Sequence, residues 1–243
     1  MIAAMWDDHD RRAFFRPLAA LLLLLFAAPA PAAQQNIGVS SFDRIRVDGP
    51  YRVTVVTGRG ASAKAEGDRH ALDRLSLRVE GRTLMIRTGN AGWGNWPGET
   101  DGPVTIALTT PDLYSAWLNG SGTLAIDRLK GPRVDVSLNG AGTMTVGTVA
   151  TDQLRAVIAG SGRLTIGGTT RDAQVVVQGS GDLDARGMAA ADVQLTVQGA
   201  ANVRMQATRS ARITAGGSGE VIVTGKAACT VRQLGSGPVT CGK

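Results

Sequence analysis

The chain has 243 residues, enough for one large or two small domains, and 43% of them are hydrophobic, so a buried core is available. Aromatic residues make up only 4%, while glycine accounts for 32 positions, so small and branched side chains must fill the interior. The formal net charge of +6 is spread over scattered arginines without a dense basic run. This composition gives no support to nucleic-acid binding.

Residues 1–33 are typical of an export signal. Arg11 and Arg12 precede an apolar run that starts at Leu18, and Ala30-Pro31-Ala32 provides a small-residue cleavage site. The apolar run is too short for a membrane span, so no transmembrane segment is predicted in the mature chain. An ordinary secretory signal and a twin-arginine signal both fit these residues. Either route predicts an exported bacterial protein, in the periplasm or at the cell surface.

Residues 34–41 are predicted to form a linker to the folded part of the chain. Residues 42–112, which follow, contain short alternating runs typical of β-strands but no regular repeat. Two of these runs flank a turn at Asp48-Gly49-Pro50, and a hairpin is predicted to close at Glu80-Gly81-Arg82. A single helical turn is predicted between residues 67 and 75. We interpret this region as the irregular start of one continuous domain.

A glycine-rich loop at residues 89–98 contains Trp93 and Trp96. Tryptophans exposed on a rigid scaffold can stack on a sugar or anchor a partner. The alternative is that both indoles fold back over an open end of the core. If the protein binds a ligand, Trp93 and Trp96 are the binding residues predicted from the sequence.

Residues 113–241 carry a glycine turn that returns every 18 to 20 residues, a period typical of stacked repeats. Most copies have the form Gly-Ser-Gly, and each copy lies between two short runs of alternating apolar and polar residues, which is the pattern of a strand. The first glycines of the copies are Gly120, Gly140, Gly160, Gly179, Gly199, Gly217 and Gly235.

The apolar positions keep a fixed distance from these turns. Positions two before, four before and four after the first glycine are apolar in every copy except for Gln233. Side chains of a strand alternate between two faces, so Leu164 and Leu195 are predicted to face a shared core. We call one winding of the chain around that core a rung. Stacking of successive rungs shields the core from solvent. An antiparallel sandwich also uses such strands, but the constant period favours an all-β solenoid over residues 42–243.

Groups suited to catalysis are sparse. A polysaccharide lyase or hydrolase needs clustered carboxylates, or a carboxylate-bound metal, beside a base. The best candidates are Asp182 and Asp184, which share an outward strand face that neighbouring rungs would supply with Arg163 and Arg204. This cluster is more simply a surface ladder of ion pairs. His70 lacks partners for a zinc site. No catalytic residue, metal or cofactor is therefore predicted.

The sequence resembles the GIN-type head domain family, described as a putative autotransporter-adhesin head of bacterial envelope proteins. The resemblance covers residues 42–241. It depends on Phe42-Asp43-Arg44-Ile45-Arg46-Val47, on residues 104–113 leading into Leu118-Asn119-Gly120-Ser121-Gly122, and on the returning Gly-Ser-Gly units. The resemblance implies a right-handed parallel β-helix with three strands per rung. It brings no catalytic residues with it.

Cys229 and Cys241 are the only cysteines, and export would place them where disulfides persist. They stand six residues before and six residues after Gly235, at positions that carry inward-facing pairs in other repeats. We predict a Cys229–Cys241 disulfide with both sulfurs in the lumen of the last rung, where it clamps the open end. A buried pair of free thiols is the alternative.

Three functional hypotheses remain after these observations. The first is a non-catalytic exported cell-envelope protein that presents its solenoid surface for binding or adhesion, with a glycan or another envelope polymer as partner. The second is a polysaccharide lyase or hydrolase on the same scaffold, and the third is a purely structural envelope element. The sparse catalytic groups favour a protein that is not an enzyme, while the ligand and the oligomeric state stay open.

Overall fold

The structure, a computed structural model, describes residues 33–89 and 102–242. It is all-β and forms a β-solenoid of about six turns, which confirms the predicted fold class. The described elements are β1 (Ala33–Ile37), β2 (Arg44–Asp48), β3 (Arg52–Thr57), β4 (Ser62–Gly67), α1 (Arg69–Asp73), β5 (Leu75–Glu80), β6 (Thr83–Thr88), β7 (Thr105–Thr110), β8 (Ser115–Gly120), β9 (Thr123–Gly140), β10 (Thr143–Gly160), β11 (Arg163–Gly179), β12 (Asp182–Gly199), β13 (Asn202–Gly217), β14 (Val221–Thr224), β15 (Ala228–Gln233) and β16 (Val239–Cys241).

The long strands β9 to β13 each follow one rung around the core. β10 lies parallel to β9 over three segments, residues 143–146, 148–151 and 153–160, in agreement with three strands per rung. The apolar ladders are in register, and Leu164 and Leu195 are buried with 0% and 1% exposure. The inside and outside assignment of the regular repeats is therefore confirmed, because a period of two along the strand fixes which face each side chain takes.

The Gly-Ser-Gly corners bring the backbones of successive rungs into close contact. Gly160 has a φ of +120°, a conformation that L side chains rarely adopt. A Cβ added there would lie 2.5 Å from the carbonyl oxygen of Gly140 in the preceding rung. Both the backbone conformation and the packing therefore require glycine at this corner.

The first rungs are stacked in an order that differs from their order in the chain. β2 lies between β6 and β8, and β3 lies between β7 and β9, all in parallel. The rung made by β2 and β3 is thus inserted between a rung made by β6 and β7 and a rung made by β8 and the start of β9. The hydrophobic core is continuous through this region. The order of the rungs therefore follows from which strands pair at their edges.

The N-terminal end of the core is covered. β1 pairs antiparallel with β4, β4 pairs antiparallel with β7, and the predicted hairpin is β5 with β6. Ala71 and Leu72 of α1 are buried against this end. β1 corrects the first half of the predicted linker at residues 34–41, whereas residues 38–41 form no strand. Its polar sequence gives no strand periodicity, so the backbone pairing with β4 is what makes it a strand.

The C-terminal end is open. Every residue of β15 is exposed, and Val231 and Leu234 are 43% and 63% exposed. Val231 stands in register with the buried Ile213, so it lies on the core side of its strand as predicted. In the described part of the chain no further rung covers that side, which explains the exposure. No helix among the described residues is long and apolar enough to cross a membrane.

Candidate ligand-binding face

Trp93 and Trp96, the binding residues predicted from the sequence, lie outside the residues that the structure describes. Gly89 and Gly102, the described residues on either side of that segment in the chain, line two cavities of about 710 and 400 Å³ respectively. Residues that adjoin the undescribed segment thus form part of each wall.

Trp117 stands on an outward face of the solenoid, in the middle of β8. Its neighbours Ala116 and Leu118 are fully buried, so the alternation of the strand directs the indole outward, where it is half-buried. The next two rungs place Ser137 and Val157 at the equivalent position. Because those side chains are small, the indole is the largest group on this part of the face. Its Nε1 has no hydrogen-bond partner among the described residues.

Two shallow grooves meet at Trp117. The first has a volume of about 440 Å³ and is lined by Arg46, Glu80, Thr83, Met85, Trp117, Asn119 and Asn139. The second has a volume of about 330 Å³ and is lined by Trp117, Asp135, Val136, Ser137, Arg155 and Val157. Both volumes lie at the lower end of the range of small-molecule sites, about 300 to 1,000 Å³. We call this surface the Trp117 face.

An amide ladder runs along one side of the Trp117 face. Asn139 Nδ2 donates to Asn119 Oδ1 at 2.8 Å, and Asn119 Nδ2 donates to Asp48 Oδ1 at 2.5 Å. The next rung carries Ala159 at this position, so the ladder ends at Asn139. The Oδ1 of Asn139 accepts no hydrogen bond from the described residues. It is therefore available to a donor from outside the protein.

The charged groups lining the two grooves balance. Arg46 and Glu80 line the first groove, while Arg155 and Asp135 line the second. Arg46 is paired with Asp48 at 3.1 Å, and Glu80 is paired with Arg87 at 3.8 Å. Arg155 and Asp135 are register partners on neighbouring rungs, yet neither forms an ion pair with the described part of the chain. The face thus offers polar groups of both signs and no net charge.

The acidic cluster weighed for catalysis is divided among separate ion pairs. Arg163 Nη2 lies 2.9 Å from Asp182 Oδ2, as the rung spacing predicts. Arg204 is the register partner of Asp184, but Asp184 pairs with Arg186 at 2.6 Å and Arg204 pairs with Glu220 at 3.1 Å. The register places Arg204 beside Asp184 as predicted, while the close ion pair of Asp184 is formed with Arg186, which lies on the same strand and makes a bidentate contact.

The pKa values of both carboxyl groups are lowered, which makes them unsuited to general acid catalysis. The hydrogen bonds from Arg163 and Asn202 lower the pKa of Asp182. The hydrogen bond from Arg186 lowers the pKa of Asp184 to about 2. A general acid at neutral pH needs a raised pKa, so neither group is suited to protonate a leaving group. Within the described ranges, no three His, Cys, Asp or Glu side chains cluster around a possible metal position.

Cys229 and Cys241 form a disulfide with a Cα–Cα distance of 6.2 Å, within the range found for such bonds. Cys229 stands in register with the buried Ala211, so it lies on the core side of β15. It is nevertheless exposed, in contrast to the predicted position inside the lumen, because the described chain places no rung over β15. The bond ties β15 to β16 at the open end.

The fold and the Trp117 face together define a β-solenoid protein with an open surface of aromatic, amide and charge-balanced side chains. The profile of the family described as putative auto-transporter adhesin, head GIN domain, matches residues 41–227. The chain belongs to this family, which confirms the resemblance inferred from its motifs.

Several crystal structures share the fold. A putative adhesin from Bacteroides fragilis has a TM-score of 0.75 at 17% identity, over 87% of this chain and 97% of that one. A putative lipid binding protein from Parabacteroides distasonis has a TM-score of 0.68 at 22% identity, over 88% and 97%. A putative adhesin from Parabacteroides merdae has a TM-score of 0.65 at 18% identity, over 88% and 97%. Likeness at these identities establishes the fold alone. No curated protein shows significant sequence similarity to the chain.

Trp117 is not among the binding residues predicted from the sequence. The signal was present, since a tryptophan occupies an outward position that holds serine, valine or threonine in the next five rungs and arginine in the last. A single aromatic residue at this position marks a local departure from the repeat. The first groove beside it, in contrast, depends on Met85 and Arg46, which reach the site only through the pairing of β6 with β2 and of β2 with β8.

Proposed function

We propose that the protein is a non-catalytic, exported component of the bacterial cell envelope that binds a surface polymer or partner through its solenoid, as an adhesin does. The observation that carries this proposal is the Trp117 face, where a half-buried indole stands between two grooves on a rigid sheet. Exposed aromatic residues held by rigid elements are common anchors in recognition sites. Membership of the adhesin-head family supports the same role.

Export is supported by two independent features. Residues 1–33 have the pattern of an export signal, and the disulfide between Cys229 and Cys241 suits an oxidising compartment. The proposal covers both the periplasm and the cell surface. Cell fractionation, with surface proteolysis of intact cells, distinguishes the two locations, and recovery of the protein only from the cytoplasm would contradict export.

Binding is tested with the purified, fluorescently labelled protein and isolated envelope fractions. The expected result is saturable binding that unlabelled protein displaces. A purely structural element would instead be found in the envelope of producing cells without binding saturably when added from outside. Release of reducing sugar ends from envelope polysaccharide, or of an unsaturated product, would support the lyase or hydrolase alternative and contradict the proposal.

A further inference from the structure

We propose that the Trp117 face is a subsite for a neutral, hexose-based polysaccharide chain; this inference rests on the proposed binding function and gives it a ligand class. The inference does not use Trp93 and Trp96. The inference depends on three properties of the face: a stacking surface, hydrogen-bonding groups of both kinds beside it, and a balance of charge.

The stacking surface is the indole of Trp117. A pyranose ring has a face of C–H groups, and such a face packs well on an aromatic ring, which is apolar on its body and polar at its N–H. The Nε1 of Trp117, which has no partner in the part of the chain that the structure describes, adds a donor at the edge of that surface. The neighbouring positions Ser137 and Val157 are small, so the sheet on that side leaves room for a flat sugar unit.

The hydrogen-bonding groups suit hydroxyls, which both donate and accept. Asn139 Oδ1, at the end of the amide ladder on the first groove, accepts no hydrogen bond from any described residue. Asp135 provides an acceptor and Arg155 provides donors on the second groove, and neither is committed to an ion pair with the described residues. An apolar ligand would leave these groups without partners, which disfavours a lipid chain at this site.

The geometry favours a chain over a single sugar. Trp117 lines both grooves, and the grooves lie towards opposite ends of the rung stack, with Met85 and Arg46 on one side and Ser137 and Val157 on the other. Neither groove is enclosed, because both lie on the open outer face of the sheet. A polysaccharide that crosses Trp117 can therefore contact both grooves with internal sugar units, and no terminal unit has to enter a closed pocket.

The charge balance selects a neutral ligand. At the first groove Arg46 is paired with Asp48 and Glu80 is paired with Arg87, and at the second groove Arg155 lies beside Asp135 on the neighbouring rung. An anionic polymer would gain attraction from the arginines and lose it to the carboxylates, whereas neutral hydroxyls use both. Binding of a neutral chain is expected to change by less than about twofold between low and high salt, since no net charge is neutralised.

The test is calorimetric titration of the purified protein with three neutral hexasaccharides, based on cellulose, laminarin and mannan, and with hexagalacturonate as an anionic probe. Trp117→Ala is expected to weaken binding of the recognised neutral hexasaccharide by at least about tenfold, as loss of an aromatic anchor does. Trp117→Phe keeps a ring and is expected to retain most of the affinity. Asn139→Ala and Arg155→Ala are expected to give smaller losses.

Thr196→Ala is the matched control, because Thr196 occupies the same outward position on a later rung and lines neither groove. All variants are checked for an unchanged melting temperature, which an outward substitution should preserve. The double variant Trp93→Ala with Trp96→Ala is titrated in parallel. Loss of binding in that variant but not in Trp117→Ala would overturn the inference and leave the proposed function standing with a different site.

Salt-sensitive binding of hexagalacturonate alone would overturn the ligand class. Absence of binding to all hexasaccharides, together with saturable binding to envelope fractions, would overturn the inference while the binding function holds. Absence of both would overturn the two proposals together.

Discussion

The corner glycine Gly160 provides a sharp test of how the rungs are held together. Gly160→Ala places a Cβ on a residue with a φ of +120°, and that Cβ lies 2.5 Å from the carbonyl oxygen of Gly140. This oxygen also accepts a hydrogen bond from the backbone nitrogen of Ser161 at 3.0 Å. The carbonyl cannot move away from the new methyl group without weakening that bond.

Two costs add at this position. A left-handed backbone costs an L residue about 1 to 2 kcal/mol, and a carbon forced against the backbone of the preceding rung costs about 1 to 3 kcal/mol, as overpacking does. The expected loss of unfolding free energy is therefore about 2 to 5 kcal/mol, a large share of the roughly 5 to 15 kcal/mol of a typical domain. For a domain of this length it corresponds to a fall in melting temperature of about 4 to 20 °C.

The assay is thermal and urea unfolding followed by far-ultraviolet circular dichroism. Ser161→Ala is the matched control, because it changes the adjacent residue of the same corner, and Ala141 already occupies the equivalent position one rung earlier. Its expected effect is within about 0.5 kcal/mol. If the Gly160→Ala protein were as stable as the Ser161→Ala protein, the inference that the rungs approach too closely for a Cβ at these corners would be wrong.

Three further predictions concern stability. Leu164→Ala should lower the unfolding free energy by about 2 to 5 kcal/mol, because it leaves a cavity in the core. Leu164→Asp or Leu195→Asp should prevent folding, because each buries a charge. A Leu164→Asp protein with the wild-type melting temperature would refute the core assignment. Cys229→Ser with Cys241→Ser should lower stability by about 3 kcal/mol in the chain-entropy estimate, and reductant should lower the melting temperature of the wild type but not of this variant. The lowered pKa of Asp184, to about 2, means that its pairing with Arg186 stabilises the fold above the unfolded pKa of about 3.9 and that this contribution is lost as the pH falls towards 2. Asp184→Asn should therefore reduce the dependence of the urea midpoint on pH between about 4 and 2, and an unchanged dependence would contradict the pairing.

The regular part of the fold could be predicted because its information is local. The period of two along each strand fixes which side chains face the core, and the recurring glycines fix where the chain turns. Leu164 and Leu195 were assigned to the core on that basis alone. The same count placed Cys229 and Cys241 symmetrically about Gly235, on the core side of the last rung.

The tertiary structure decided what depends on partners distant in the chain. The insertion of β2 between β6 and β8 follows from which backbone edges are free to pair, and no residue pattern encodes that order. The partner of Asp184 depended on a competition between Arg186 and Arg204 that register alone does not resolve. The exposure of β15 depended on whether another rung covers it.

The Trp117 face shows both kinds of information. Alternation in the sequence directs Trp117 outward, but its exposure and its grooves come from the side chains that neighbouring rungs bring beside it. Met85 and Arg46 arrive from strands far earlier in the chain, and Arg155 arrives from a later rung. The chain by itself thus determines the direction of each side chain, because strand geometry is local. Which side chains meet on a face is determined only when the strand edges pair.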